Sequence, residues 1–278
     1  MKADQKVQMK ALPWHLVLIA ACGVSLLPIV WMVGTAFKFQ DEIFTSFLSP
    51  IPHRPTLSNF LYVWDRIPFA RYFFNSLVVA ALVTAVQLVT ATLAAYGFTQ
   101  FRFPGREFLF YAVVASMLVP VQVTMLPNYL VVARLGWLDS YAGLMAPHLA
   151  EAMGIFLLRQ AFRSVPASLV EAARLEGATH LQVIRKVFIP NLRPVFIALG
   201  ILVFINTWNE YLWPLLVIKD ENMFTLPLAL QLFVSEEGGT SWGPMMAAAT
   251  LAALPPLLAY WVAQRYVVQT FLSAGIKG

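Results

Sequence analysis

Two short polar groups interrupt an otherwise apolar chain of 278 residues, and both carry side chains suited to a hydroxyl-rich solute. The first is His148 and Glu151, which share one face if the segment is a continuous helix. The second is the run Asn206-Thr207-Trp208-Asn209-Glu210-Tyr211-Leu212-Trp213-Pro214, where Asn206, Asn209 and Glu210 fall at i, i+3 and i+4. Amides and carboxylates hydrogen-bond hydroxyls, and aromatic rings such as that of Trp208 offer faces on which a sugar ring stacks. An ionisable group such as Glu151 in the middle of an apolar span is costly and reads as functional. A plainer reading also fits: a His–Glu or interhelix pair at His148 and Glu151, and an aromatic belt at a membrane surface for Tyr211 and Trp213.

No catalytic or metal-binding pattern accompanies these groups. HExxH, GxSxG and paired Cys/His spacings are absent, and His15, His53, His148 and His180 are scattered, so no metal site is expected. No GxxxxGK[ST] loop occurs, so ATP-driven work would need a separate nucleotide-binding subunit, and no directly bound cofactor is expected. The single cysteine, Cys22, excludes an internal disulfide and reads as a buried helix residue.

The elements that must position these residues are membrane helices. The chain is 59% hydrophobic and 12% charged, with mean hydropathy +0.70, where a soluble domain carries about 25% charge. The expected fold is all-α and integral to the membrane, with one domain over 1–278 and six spans near 13–36, 75–97, 108–127, 141–161, 194–217 and 243–266. Small residues such as Ala80, Ala91 and Ala95 suit the second span to close helix contacts. Pro120 and Pro127 interrupt the third, and Pro255-Pro256 kinks the sixth. The external segment from Phe37 to Tyr72 has too many prolines for a long helix. The net charge of +5 is no nucleic-acid signal: with these spans 13 of the 19 basic residues fall on the inner side, as the positive-inside rule requires. Both termini are then cytoplasmic.

The longest polar interruption of the second half is Ser164 to Pro194, a coupling loop over 164–193 in this reading. It reads as two short helices with a sharp corner. Pro166 opens the first, and Gly177 closes it in the left-handed conformation. Thr179 and Gln182 form a capping box for the second, which Pro190 ends. Glu171-Ala172-Ala173, Gly177 and Ile189-Pro190 resemble the EAA loop of binding-protein-dependent ABC importer permeases, with Ile189 where Leu is usual. The closing run Ser273-Ala274-Gly275-Ile276-Lys277-Gly278 resembles the terminus of the carbohydrate-type members, the maltose and glycerol-3-phosphate importers.

That resemblance implies a transport subunit with no enzymatic activity of its own. Glu171, Ala172, Ala173, Arg174, Gly177, Ala178, Ile189 and Pro190 would dock on a cytoplasmic ATPase and pass its motion to the spans. Glu151, Asn206, Trp208, Asn209 and Glu210 would line the substrate pathway. Gln231 and Trp242, in a last external loop with a flexible turn at Ser235–Thr240, would meet an external solute-binding protein. The implied partners are a second, homologous permease, two ABC ATPases carrying ATP and Mg, the binding protein and membrane lipid, in a prokaryotic inner membrane. The implied solute is a sugar, with glycerol-3-phosphate or a glycerophosphodiester as the alternative. An ion-coupled transporter using Glu151 and Glu210 as proton carriers is a rival, although six spans without repeat symmetry fit it poorly. A non-transporting membrane scaffold is another.

Overall fold

A computed structural model describes residues 2–46, 49–235 and 239–275, with side chains over 13–46, 49–234 and 240–266. Glu236, Glu237 and Gly238 of the turn read as flexible, and Ile276 to Gly278 of the tail, lie outside the described residues. The single domain read from sequence divides into two compact units, one of residues 1–69 with 230–253 and the other of 70–229 with 254–278.

The first unit begins with α1 (Lys2–Ala36), α2 (Gln40–Thr45) and α3 (Ser58–Arg66). The apolar stretch of α1, Pro13–Ala36, spans 24 residues and is unburied within the chain. Cys22 is therefore exposed on it, not buried as its apolar neighbours suggested, because a lone span packs on lipid or on another subunit. The proline-rich segment after α1 is held by polar side chains. Asn59 donates to the Ala36 and Lys38 carbonyls at 2.9 and 2.7 Å, satisfying backbone acceptors freed at the end of α1. Lys38 is buried, and its ammonium bonds the Ser46 and Ser49 carbonyls at 2.9 and 2.5 Å.

The second unit carries the other spans. Helix α4 (Phe69–Gln100) is one unbroken span of 32 residues. Its small residues do what their size suggests: Ala80, Ala91 and Ala95 are buried against neighbours. Helices α5 (Arg106–Ser116) and α6 (Val121–Arg134) are bent by 98° at a break that ends on Pro120. Next come α7 (Tyr141–Met145), a 3-10 turn to His148, and α8 (Ala152–Arg163), bent by 48°. The loop helix α9 (Ala167–Leu175) precedes α10 (His180–Val183), a π turn at Ile184–Phe188 and α11 (Ile189–Asn191). An 88° bend then leads into α12 (Arg193–Trp208), followed by α13 (Leu212–Val217) and the short α14 (Leu226–Ala229).

In the first unit a two-residue hairpin pairs β1 (Val234–Ser235) with β2 (Gly239–Thr240). The last helix, α15 (Trp242–Gly275), runs through Pro255 and Pro256. Three helices are thus long and apolar enough to cross a bilayer alone, and the bent pairs bring the number to six if each is one span. The protein is an all-α integral membrane protein apart from that hairpin.

Candidate functional site

The corner between α9 and α10 is built by local backbone chemistry. Gly177 has φ of 81°, and Gly177 N–H and Ala178 N–H donate to the Arg174 and Ala173 carbonyls, both at 3.0 Å. These two bonds make a Schellman motif, which satisfies carbonyls that the end of α9 would leave bare. Two residues on, the Thr179 hydroxyl accepts from Gln182 N–H at 3.4 Å, and Gln182 Oε1 accepts from Thr179 N–H at 2.8 Å. The capping box read from sequence is present. Contrary to the expectation from sequence, Pro190 does not end the second helix, because the π turn widens it there and the helix continues to Asn191. The Asn191 amide bonds the Val187 carbonyl at 2.7 Å within this loosened stretch.

Helix α9 turns one side inward through buried Val170 and leaves Glu171, Ala172 and Arg174 exposed, with Ala173 and Ala178 half-buried. Leu175 is 90% exposed. Nothing in the periodicity singled it out, because a leucine at the end of an amphipathic helix reads as core. Ile189 sits apart from that group, on a groove shared with α4 and α12, and Pro190 is exposed.

The second half of the corner is fixed to the spans by rings. Tyr96 on α4 places its hydroxyl 2.8 Å from His180 Nδ1 and its ring edge-on to Phe188. Phe188 is fully buried and stacks on Phe162 of α8, with ring centroids 4.3 Å apart. Aromatic contacts of this kind are worth about 0.5–1.5 kcal/mol each beyond the area they bury. Displacement of α10 therefore acts on α4 and α8 together. Also on α8, buried Arg159 bonds both oxygens of Glu107 at 2.9 Å and lies 3.7 Å from the centre of the Phe110 ring, joining α8 to α5.

His148 and Glu151 sit at a helix break. His148 and Glu151 do not share a helical face: His148 closes the 3-10 turn, and Glu151 is the N-cap of α8. The break leaves carbonyls free, and α4 supplies the donors. Gln87 donates to the His148 carbonyl at 2.5 Å and Thr90 to the Leu149 carbonyl at 3.0 Å. Broken helices are tolerated in membranes where protein satisfies the backbone in this way. Glu151 itself is exposed.

The run after α12 departs from one continuous face too. Asn206 and Asn209 are exposed, but the helix ends at Trp208, and Glu210 turns inward to accept the Trp213 N–H at 3.2 Å. Trp208 is 1% exposed and packs against Phe73 and Phe204, so its ring has no free face for a sugar. Trp213 is likewise internal, with its indole N–H on the Gly143 carbonyl at 3.0 Å. The geometry draws His148 and Glu210 together with Ser76, Thr207 and Thr225 around a cavity of about 10 Å³, room for roughly one water. Around Glu210 the described residues therefore enclose no chamber of solute size. In the first unit, Gln231 is half-buried in a 3-10 turn, and Trp242 opens α15 with 37% exposure.

The loops after α6 and α13 carry a further constraint that the sequence did not single out. Asp139, at φ of 52°, accepts backbone N–H from Asp220 at 2.8 Å and from Lys219. These donors hold its carboxyl below the usual carboxylate range. Asn75 bonds the Asn222 and Phe224 carbonyls of the same loop at 3.0 and 2.9 Å.

Comparison with known proteins places this architecture. A family model described as binding-protein-dependent transport system inner membrane component matches residues 87–272. The sn-glycerol-3-phosphate transport system permease protein UgpE of Pectobacterium atrosepticum is 34% identical over 262 residues, covering 92% of this chain and 93% of that one. Its counterpart from Escherichia coli O1:K1 is 34% identical over 269 residues, covering 92% and 96%. Among solved structures, a chain of a bacterial ABC transporter involved in the import of the acidic polysaccharide alginate superposes with a TM-score of 0.82 at 23% identity. That match covers 93% of this chain and 96% of the other. A chain of a bacterial alginate transporter in complex with alginate pentasaccharide-bound periplasmic protein gives 0.64 at 14% identity, covering 93% and 94%. At these identities the likeness is one of fold.

Proposed function

The chain belongs to the family of binding-protein-dependent transport system inner membrane components, the permease subunits of ABC importers, and from that premise we propose how its residues divide the work. The corner formed by α9 and α10 faces the cytoplasm, with both termini on the same side. Two ATPase subunits holding ATP and Mg grip this corner and its counterpart on a second, homologous permease. Glu171, Ala172, Ala173, Arg174, Gly177 and Ala178 form the docking surface, with Ile189 and Pro190 in the arm behind it. When the ATPase subunits close, the corner moves, the Tyr96–His180–Phe188–Phe162 contacts carry the motion into α4 and α8, and the pathway opens outward. The ATPases drive the cycle only if they bind nucleotide better in one arrangement than in the other.

The observation that carries this reading is Leu175, 90% exposed beside a glycine corner that two capping motifs hold rigid. An apolar side chain held so far out offers area that a protein surface would gain by covering. In a reconstituted assembly, Leu175→Asp is expected to lower binding-protein-stimulated ATP hydrolysis at least tenfold while the permease still inserts. Unchanged stimulation would remove Leu175, and the surface around it, from the docking role.

The solute we propose is a sugar. Asn206 and Asn209 offer amides on an exposed face, with Glu151 exposed at the α8 break and Glu210 beside His148. Because this chain closes no solute-sized chamber around Glu210, the second permease would complete it. Gln231 and Trp242 would meet the binding protein. Relatives named for sn-glycerol-3-phosphate support a second reading, in which the solute is that phosphate ester. The groups assigned here favour the neutral polyol, since two carboxylates and no cation would repel a phosphate. Uptake of labelled glycerol-3-phosphate against a panel of sugars in cells expressing the assembly separates the two.

A further inference from the structure

A groove of about 410 Å³ runs between α4, the π turn at Ile184–Phe188 and α12. Leu88, Val89, Leu93, Ile184, Ile189 and Phe196 make its wall, and Arg185 stands in its lining. Thr92, the other polar residue there, bonds its hydroxyl to the carbonyl of Leu88 on its own helix, so the wall offers no free donor besides the arginine. Arg185, the neighbouring Lys186 and Arg193 are exposed. The ion pairs among the described residues involve Arg54, Arg106 and Arg159, and none involves these three cations.

The depth is informative. Leu93 and Leu88 lie seven and twelve residues before Gln100, the end of α4. At 1.5 Å per residue they stand about 10 and 18 Å from that end, which is the depth of one leaflet's acyl chains in a hydrocarbon core of about 30 Å.

An apolar slot one leaflet deep, with unpaired cations beside it, matches an anionic phospholipid and not a second protein helix. A helix seated there would have to bring a carboxylate to Arg185 or bury its charge, whereas a lipid phosphate sits at the interface where the cations are. We infer that this groove is a binding site for an anionic phospholipid of the cytoplasmic leaflet, one acyl chain lying along Leu88–Phe196 and the headgroup on Arg185. The bound lipid would brace the arm between the corner and α12. The inference rests on the cytoplasmic placement of the corner proposed above.

The test uses the whole assembly in nanodiscs containing phosphatidylglycerol or phosphatidylcholine with the same photoactivatable acyl chain, and maps cross-links by peptide mass spectrometry. Phosphatidylglycerol should label the peptides carrying Leu88–Leu93 and Leu181–Phe196 about fivefold more than phosphatidylcholine, the preference one basic residue near a bilayer surface supplies. Arg185→Gln should bring that ratio near one, and Val89→Trp, which fills the slot, should cut both signals. Equal labelling by the two lipids in the unaltered chain, or an unchanged preference in Arg185→Gln, overturns the proposal. So does the absence of lipid adducts on these peptides with either lipid. A parallel measurement keeps the two readings apart. Ser164→Cys, at an exposed position that opens the corner loop outside the proposed docking surface, is labelled in a Cys22→Ser background with an impermeant maleimide in inverted and right-side-out vesicles. Reaction only in right-side-out vesicles refutes the cytoplasmic corner and the assigned leaflet, whereas reaction only in inverted vesicles with equal lipid labelling refutes the lipid site alone.

Discussion

A Cβ added at Gly177 would meet no atom within 4 Å, so the cost of replacing this glycine begins in the backbone. At φ of 81°, an L-residue pays about 1–2 kcal/mol. Gly177→Asp is therefore expected to loosen the corner without disturbing the spans. Membrane-inserted protein should stay at its normal level while binding-protein-stimulated ATP hydrolysis falls, and Gly177→Asn, which tolerates the left-handed conformation, should retain more of it. Full stimulation in the Asp variant counts against a rigid corner. Asp139 makes a residue-scale prediction of another kind. Its carboxyl is held below the usual range by the Asp220 and Lys219 N–H groups, so its contribution is present above the unfolded-chain value near about 3.9 and fades as pH falls through the lowered value. Amide protection at Lys219 and Asp220 should be constant from about pH 5 to 8 and weaken only below about pH 4, and Asp139→Asn should remove that acid step. Neither position is equally visible in sequence. Gly177 announces itself by its place after an amphipathic run, whereas Asp139 acts on residues about eighty positions away, and no local pattern encodes that.

At the scale of elements, the unbroken helices were legible, and so was the bend that Pro120 marks, but the break at His148 was not. Helices α1, α4 and α15 follow from continuous apolar length alone, which local sequence displays. The break in the fourth span does not, because what permits it lies on another helix. Gln87 and Thr90 read as ordinary polar residues of the second span until α4 is laid beside His148 and Leu149. The same blindness applied to Trp208. Aromatic character beside two amides suggested a sugar platform, but Phe73, far earlier in the chain, occupies one side of the ring. The capping box and the glycine corner were readable because their bonds close within three or five residues. If the break depends on α4, the double variant Gln87→Met with Thr90→Val leaves two carbonyls without donors. Each unsatisfied buried group costs about 1–3 kcal/mol. The melting temperature of the purified assembly should drop by several degrees, with more loss than for Thr99→Val, whose hydroxyl bonds only its own helix. Equal losses would mean that solvent or a partner, and not α4, satisfies the break.

For the whole molecule, the decisive feature is how little of its apolar surface the chain buries by itself. The apolar stretch of α1 is unburied, and only 17% of that of α15 is covered. Asn206 and Asn209 are exposed, and the cavity at Glu210 is fit for one water. If, as proposed, such a chain encloses a solute only when a second permease is laid against it, its pathway residues and its packing residues ought to separate by phenotype. Asn206→Ala and Asn209→Ala remove exposed amides and leave no buried group unpaired. They should therefore reduce uptake at least tenfold while the assembly purifies intact, with the loss in the apparent affinity for solute as well as in the maximal rate. Trp208→Ala empties a buried site and should act the other way, costing about 3–5 kcal/mol of stability and lowering the yield of assembled complex before it alters the affinity of what remains. Glu210→Ala lies between, since its carboxylate both holds the Trp213 N–H and lines the cavity with His148. Glu210→Gln, which keeps an acceptor for that N–H, should restore assembly but not uptake if the charge serves transport. Initial uptake rates over a range of solute concentrations, normalised to assembled complex, decide the matter. Equal losses of uptake and assembly in both asparagine variants would take them out of the pathway and leave them as structural surface.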